Sequence, residues 1–179
     1  MNNFQHLHDF SNTTLAYALN ELREHAELWD NPLGNLRASY PGSAQRDTRA
    51  IIMRWCPRPE ESFTSLDLVR LDPWYILSRC ASLAEYIARM HGRPLARVLL
   101  AELRAGGRIT PHIDEGAYAE ATRRYHLALR ADVGNEFRCG GETVEMWPNE
   151  LWWFDHRQVH EVVNHSERPR VHLIVDIFL

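Results

Sequence analysis

In the stretch "NTTLAYALNELREHAELW" apolar residues recur at Leu15, Ala18, Leu19, Leu22, Ala26 and Trp29. That spacing of three and four predicts a helix with one buried stripe, and an Asn or Thr at its start suits the cap. "NPLGNLRASYPGSAQRD" follows, rich in Asn, Pro, Gly and Ser, and reads as a loop. "TRAIIMRWC" reads as a strand that "CPRPEES" breaks. "DPWYILSRCASLAEYIARMHG" is a second amphipathic helix, with Pro73 suited to its first turn and Gly92 to its end.

After "GRP" the period changes. "LARVLLAELRA", "RITPHID", "RRYHLALRAD", "NEFRCGG", "ETVEMWP", "LWWFDH", "HEVVNHS" and "RVHLIVDIFL" are short β-type runs punctuated by Gly, Asn, Pro and Asp. About eight closely spaced strands of this kind predict a small antiparallel barrel or jelly roll. The expected class is α+β, in a single domain over 1–179. Residues 1–93 form mainly helical support packed on one face, and residues 94–179 form the barrel. No internal repeat or inter-domain linker interrupts this division.

Composition narrows the function. A chain of 179 residues with 45% hydrophobic content can bury a core without staples. A net charge of −4 offers no electrostatic case for nucleic acid or an anionic membrane surface. Cys56, Cys80 and Cys139 are scattered and odd in number, so a disulfide framework is not expected and a reducing, cytoplasmic setting is. "MNNFQHLHDFSN" lacks the basic and apolar regions of a signal peptide, and no apolar run reaches membrane-spanning length.

The chemistry starts from "GGRITPHIDEG", where His112 and Asp114 stand two residues apart. A turn Asp beside a surface His has the same spacing. On a strand, however, residues i and i+2 project from one face, so an imidazole and a carboxylate can converge on one ion. One further His would complete a two-His, one-carboxylate face, which leaves positions open and suits non-haem Fe(II). His126, His156, His160, His165 and His172 are the candidates. His160 begins a strand at the expected barrel mouth, whereas His156 and His165 fall at turns and His172 inside the last strand; these three read as surface or packing residues.

"TPHID", "RRYHLALR" and "GGETVEMWPNELWWFDHRQVHEVVNHSERPRVHLIVDIF" occur together and in order, and over roughly residues 95–179 the chain resembles the aspartyl/asparaginyl β-hydroxylase family of Fe(II)/2-oxoglutarate-dependent oxygenases. The resemblance implies a double-stranded β-helix of the jelly-roll, cupin-like kind. It implies Fe(II), 2-oxoglutarate as cosubstrate and O₂, with His112, Asp114 and His160 as the iron ligands. By the same resemblance Arg170, ten residues after His160, holds the distal carboxylate of 2-oxoglutarate, for which a guanidinium fork is suited. Arg168, before a proline, belongs to the turn. The "RRYHLAL" strand places His126 beside 2-oxoglutarate and Arg124 near a substrate or cosubstrate carboxylate. Some family members carry Gly where this chain has Asp114. Where the family turn usually carries Gly, "WPNE" has Asn149, which tolerates positive φ.

The implied substrate is a β- or ring carbon of an amino acid, free or within a peptide or protein. A cupin-like metalloenzyme working without 2-oxoglutarate, and a non-catalytic barrel that only binds, are the competing readings. Trp152 and Trp153 read as one core and one outward residue of a strand, and Cys139 as a small buried hydrophobe. "GAYAEATRR", between Asp114 and the next strand, reads as a lid over the site or a connecting loop.

Overall fold

The computed structural model describes residues 2–39 and 41–179. Two antiparallel sheets face one another. The strands are β1 (Phe4–Asp9), β2 (Thr48–Trp55), β3 (Val69–Arg70), β4 (Leu95–Leu103), β5 (Arg108–His112), β6 (Thr122–Arg130), β7 (Asn135–Cys139), β8 (Glu142–Glu145), β9 (Glu150–Phe154), β10 (His160–Asn164) and β11 (Arg170–Phe178). The large sheet runs β1-β9-β6-β11-β4-β2-β3 and the small one β5-β10-β7-β8. The last eight strands are those the β-type runs predict, and they build the double-stranded β-helix. The N-terminal half adds β1 and β3, which its pattern did not predict, along with the expected β2.

Period-two alternation sets what each face of the large sheet does. On β11, Val171, Leu173, Val175 and Ile177 join one apolar cluster with Leu127, Leu15, Leu22, Leu83 and Ile87, beneath the helices. The alternate residues Arg170, His172, Ile174 and Asp176 look inward between the sheets. A second cluster, with Phe4, Leu103, Phe137, Phe154 and Val162, closes the space between the sheets.

The helices are α1 (Asn12–Glu24), α2 (Pro32–Ser39), α3 (Asp72–Ile76), α4 (Ser78–Met90) and α5 (Ala117–Glu120). The cap of α1 is Ser11, whose hydroxyl accepts from Thr14 N at 3.1 Å, one residue before the expected Asn or Thr. The second predicted helix divides at Leu77, which leaves helical geometry and is fully buried. The division is supported from outside: Glu21 of α1 accepts from Arg79 N at 3.0 Å and Cys80 N at 3.3 Å, so α4 has a carboxylate at its own N-terminus.

The "PLGNLRAS" stretch is helical rather than a loop; Tyr40, in the same expected loop, lies outside the described residues. Its Gly34 explains how α2 sits: a Cβ there would lie 1.6 Å from Ala50 O on β2, so only glycine permits this approach. Asn149 has φ 86°, the positive-φ non-glycine residue among those described, and its turn holds as expected. Among the described residues no helix is long and apolar enough to cross a membrane.

Candidate metal centre and its cavity

His112 ends β5 and His160 begins β10, and the two are direct partners across that antiparallel pair. Their ring centroids are 4.2 Å apart. His112 Nδ1 lies 2.8 Å from Thr110 O, and His160 Nδ1 lies 2.9 Å from Gln158 O. A carbonyl only accepts, so each Nδ1 carries the proton and each Nε2 keeps its lone pair free. This is how a strand-borne imidazole is oriented for a metal. Burial pushes the His160 pKa down to about 4, which keeps that ring neutral at neutral pH.

Asp114 follows β5, where its backbone N–H donates to His156 O at 3.0 Å. Donor atoms of His112, Asp114 and His160 all lie within 4.8 Å of one another. His112 Nε2 and Asp114 Oδ1 are 4.0 Å apart. Two donors each about 2.1 Å from one ion can span roughly 4.2 Å, so the pair fits a shared metal. Burial opposes ionisation of Asp114, but Arg124, with His160, His156 and His112, outweighs it and holds the carboxyl at about 2. A second group, His6, Asp9 and Glu150, lies at the surface, and Glu150 there accepts from Trp147 N and Trp152 Nε1.

Arg124 lines the same cavity as His112 and His160, and its partners among the described residues are protein carboxylates. Its Nη1 contacts Asp114 Oδ2, while its Nε and Nη2 grip Asp176 Oδ1 and Oδ2 at 2.8 and 2.9 Å. Arg124 and Asp176 are register partners on β6 and β11, which puts the fork opposite its acceptor. With two aspartates bound, the guanidinium is already neutralised by the protein. It fixes one oxygen of Asp114 and leaves the other turned toward His112. Burial lowers the Arg124 pKa, and the two aspartates raise it further than burial lowers it.

Arg170 is the opposite case. It is buried on β11 and faces the inner cavity with His126, His172, Phe137 and Ile174. Burial pushes its pKa down to about 9. Among the described residues no carboxylate comes within ion-pairing distance of it. The His172 ring nitrogens lie 2.9 Å from Arg170 Nε and Nη2. Burial and the neighbouring Arg170 keep His172 neutral. A neutral imidazole accepts only one hydrogen bond, so most of the guanidinium's donors stay unused.

His126, on β6, has its Nδ1 3.3 Å from His172 Nδ1, and its buried Nε2 has no partner. Burial, with Arg170 next, holds the His126 pKa well below its usual value. Unused donors on a buried cation, beside an orphaned imidazole nitrogen, fit an anionic cosubstrate between the metal ligands and β11.

His112, Arg124 and Arg37 line both this inner cavity and an outer one of about 540 Å³, whose walls include Trp55, Phe63, Arg97, Tyr118 and His156. His156 belongs here rather than at the surface: it is buried, with Nε2 3.2 Å from Ala119 O. The 115–121 segment carries α5, and its Tyr118 is pinned. Tyr118 OH accepts from Arg97 N at 3.0 Å and donates to Asp176 Oδ2 at 3.0 Å, so this part of the wall is fixed to the sheet instead of hinging freely. Trp152 and Trp153 are half-buried and line neither cavity. Cys139 is buried, its thiol pushed up to about 11 by burial, which makes it a poor nucleophile.

The sequence reading missed His172, Asp176 and Arg37. Period two on "RVHLIVDIF" carries the first two, since Arg170, His172, Ile174 and Asp176 share a face. Arg37 stayed hidden because its helix read as a loop.

A profile of the aspartyl/asparaginyl β-hydroxylase family matches residues 76–178. No curated protein matches the sequence significantly. Among solved structures, a 2OG-Fe(II) oxygenase family protein from Burkholderia pseudomallei aligns with TM-score 0.56 at 15% identity, covering 96% of this chain and 93% of that one. A Trichoplax adhaerens prolyl hydroxylase, solved with a peptide fragment of the hypoxia inducible factor oxygen degradation domain, aligns with TM-score 0.60 at 16% identity, covering 99% and 84%. A Pseudomonas putida prolyl-4-hydroxylase gives 0.55 at 16%, covering 98% and 92%. At such identities the likeness is one of fold.

Proposed function

The chain belongs to the aspartyl/asparaginyl β-hydroxylase family, and from that premise we propose that it is an Fe(II)/2-oxoglutarate-dependent hydroxylase of an aliphatic carbon in an amino acid, free or within a peptide. The observation that carries this reading is Arg170, a buried cation with no acidic partner among the described residues, on the same cavity wall as the candidate metal ligands. A cupin-like metal site working without 2-oxoglutarate gives such a cation nothing to bind. Burying an unpaired charge is costly, so an anion that arrives with its own carboxylate offsets that cost.

In this reading His112 Nε2, Asp114 Oδ1 and His160 Nε2 would hold the metal. When bound, Fe(II) with 2-oxoglutarate uses O₂ to oxidise a substrate C–H bond to an alcohol, with 2-oxoglutarate leaving as succinate and CO₂. The chain supplies the rest. Arg170 would hold the distal carboxylate, and His126, whose Nε2 has no protein partner, would lie in the same cavity. Arg124 holds Asp114 in place through one oxygen. Ile109, Phe137, Phe154 and Val162 line the inner cavity with apolar surface and limit water there. The oxidised carbon enters from the outer cavity. The Trichoplax prolyl hydroxylase, solved with its peptide fragment, supports keeping peptide residues among the substrates.

The test is an anaerobic titration of the protein with Fe(II) and 2-oxoglutarate. A weak visible charge-transfer band is expected in the wild type and is lost in His160→Ala. Succinate release in air should follow the same pattern. A wild-type protein that binds Fe(II) but gives no band with 2-oxoglutarate would sink the proposal.

A further inference from the structure

Four arginines line the two cavities, and three of them are committed. Arg124 is held by two aspartates. Arg170 is assigned above to 2-oxoglutarate. Arg97 is stacked between aromatic rings, 4.1 Å from the centroid of Trp55 and 3.4 Å from that of Tyr118; its Nη2 donates to Ser62 O, and its unpartnered Nε is buried out of reach of the cavity. Of the four, Arg37 has neither a hydrogen-bond acceptor among the described residues nor an assigned ligand. Its guanidinium donates to no described residue, and its aromatic contact, with Trp55, is distant at 6.0 Å.

Its position is built in by the local sequence. Gly34 lets α2 rest on the β2 backbone, and Arg37, one turn later on the same helix face, reaches the junction of the inner and outer cavities. The residue is only half-buried by surface, yet it sits deep enough that burial pushes its pKa down to about 10, with Arg124 adding to the effect and Asp114 and Asp176 opposing it. Of the carboxylates on the outer wall, Asp114 is occupied by Arg124, and Glu115 forms no ion pair with Arg37. A deep cation without an anion is a binding site for one.

The two carboxylates of 2-oxoglutarate already have destinations, one at the metal and one at Arg170. We infer that Arg37 receives a carboxylate of the substrate, so the molecule oxidised carries its own negative charge beside the reacting carbon. This rests on the function proposed above. The charge has two possible sources with the same chemistry: the α-carboxylate of a free amino acid, or the side chain of an acidic residue in a peptide. In either case a bidentate hydrogen bond to Arg37 fixes one end of the substrate, and the cavity volume limits what lies between that anchor and the metal.

The experiment is isothermal titration, without oxygen, of the protein loaded with Fe(II) and 2-oxoglutarate. The probes are the twenty free L-amino acids, their α-carboxamides, and the N-acetyl amides of Asp, Glu, Asn and Gln. At least one carboxylate should bind at least tenfold more tightly than its amide counterpart. A free acid favoured over its α-carboxamide points to the first source. Blocked Asp or Glu favoured over blocked Asn or Gln points to the second. Arg37→Gln should erase the difference between acid and amide, and Arg37→Lys should restore part of it. Both variants should keep the affinity for 2-oxoglutarate within twofold, which also shows that they are folded. The inference is overturned if no carboxylate binds the wild type, if acid and amide bind alike, or if Arg37→Gln weakens 2-oxoglutarate itself tenfold. A wild type that never takes up 2-oxoglutarate overturns the function beneath it, and that result appears before any substrate is added.

Discussion

The two faces of β6 and β11 are built from alternate residues of the same strands, yet they obey different rules. On the outer face Leu127, Val171, Leu173, Val175 and Ile177 join an apolar cluster beneath the helices. On the inner face His126, Arg170, His172 and Asp176 are buried beside the half-buried Arg124, with Ile174 as an apolar neighbour. The first arrangement returns free energy for each methylene removed from water. The second costs desolvation that only partners or ligands offset. The contrast shows where stability and chemistry have been separated: a shift of one residue along the strand changes which of the two a substitution will damage.

The sharpest break of that contrast is on the outer face. Leu173→Ala removes a fully buried side chain from the helix-covered cluster. It should cost about 3–5 kcal/mol and lower the thermal midpoint by roughly 10 °C. The affinity of the surviving folded protein for Fe(II) should stay unchanged. A loss of metal binding ahead of unfolding would show that the two faces are coupled.

On the inner face, Asp176→Asn leaves Arg124 with half of its anionic partners. Breaking that buried pair should cost about 3 kcal/mol of stability. Arg124, which braces Asp114, is then no longer anchored to β11, so Fe(II) affinity should fall about tenfold, as for other residues that orient a metal ligand. Chemical denaturation and metal titration of one preparation test both numbers. An unaltered metal affinity would mean that Asp114 needs no support from Arg124.

Arg170→Met tests the other kind of inner-face charge, the one without a protein partner. Removing it should weaken 2-oxoglutarate binding by about 100-fold, the equivalent of losing one or two charge-assisted hydrogen bonds. The ligand-free protein should unfold no earlier than the wild type, because no ion pair within the protein is broken. An early melt would place Arg170 in a structural role.

These differences also explain what the sequence allowed. The β-type runs after residue 94 mark eight strands because turn residues bound each one; spacing paired His112 with Asp114 and put His160 at a strand start, and the family resemblance joined the three. The long-range partners were less visible. Nothing in a linear reading pairs Arg124 with Asp176, since that depends on the register between β6 and β11. His172 looked like a packing residue because period two was applied to the apolar set of β11 and not to the polar residues between. The α2 helix was masked by its Pro, Gly and Asn, which favour turns locally, while packing on β2 turns Gly34 from a breaker into a contact. β1 was missed because its burial alternates weakly and its pairing with β9 supplies the stability.

The smallest expected effect tests whether facing inward is enough to belong to the site. Trp152 lies on β9, where it packs on the Phe4 side of the inter-sheet cluster and donates from Nε1 to Glu150 at 2.8 Å. It is inward of the sheet but outside both cavities. Trp152→Phe keeps an aromatic ring in place and loses one hydrogen bond at a half-buried position. The cost should be about 1 kcal/mol. The dissociation constants for Fe(II) and 2-oxoglutarate should stay within about twofold, and so should the KM of whichever substrate releases succinate. A tenfold rise in that KM with the 2-oxoglutarate affinity intact would make Trp152 a substrate contact, and the boundary of the outer cavity would then have to be redrawn through β9.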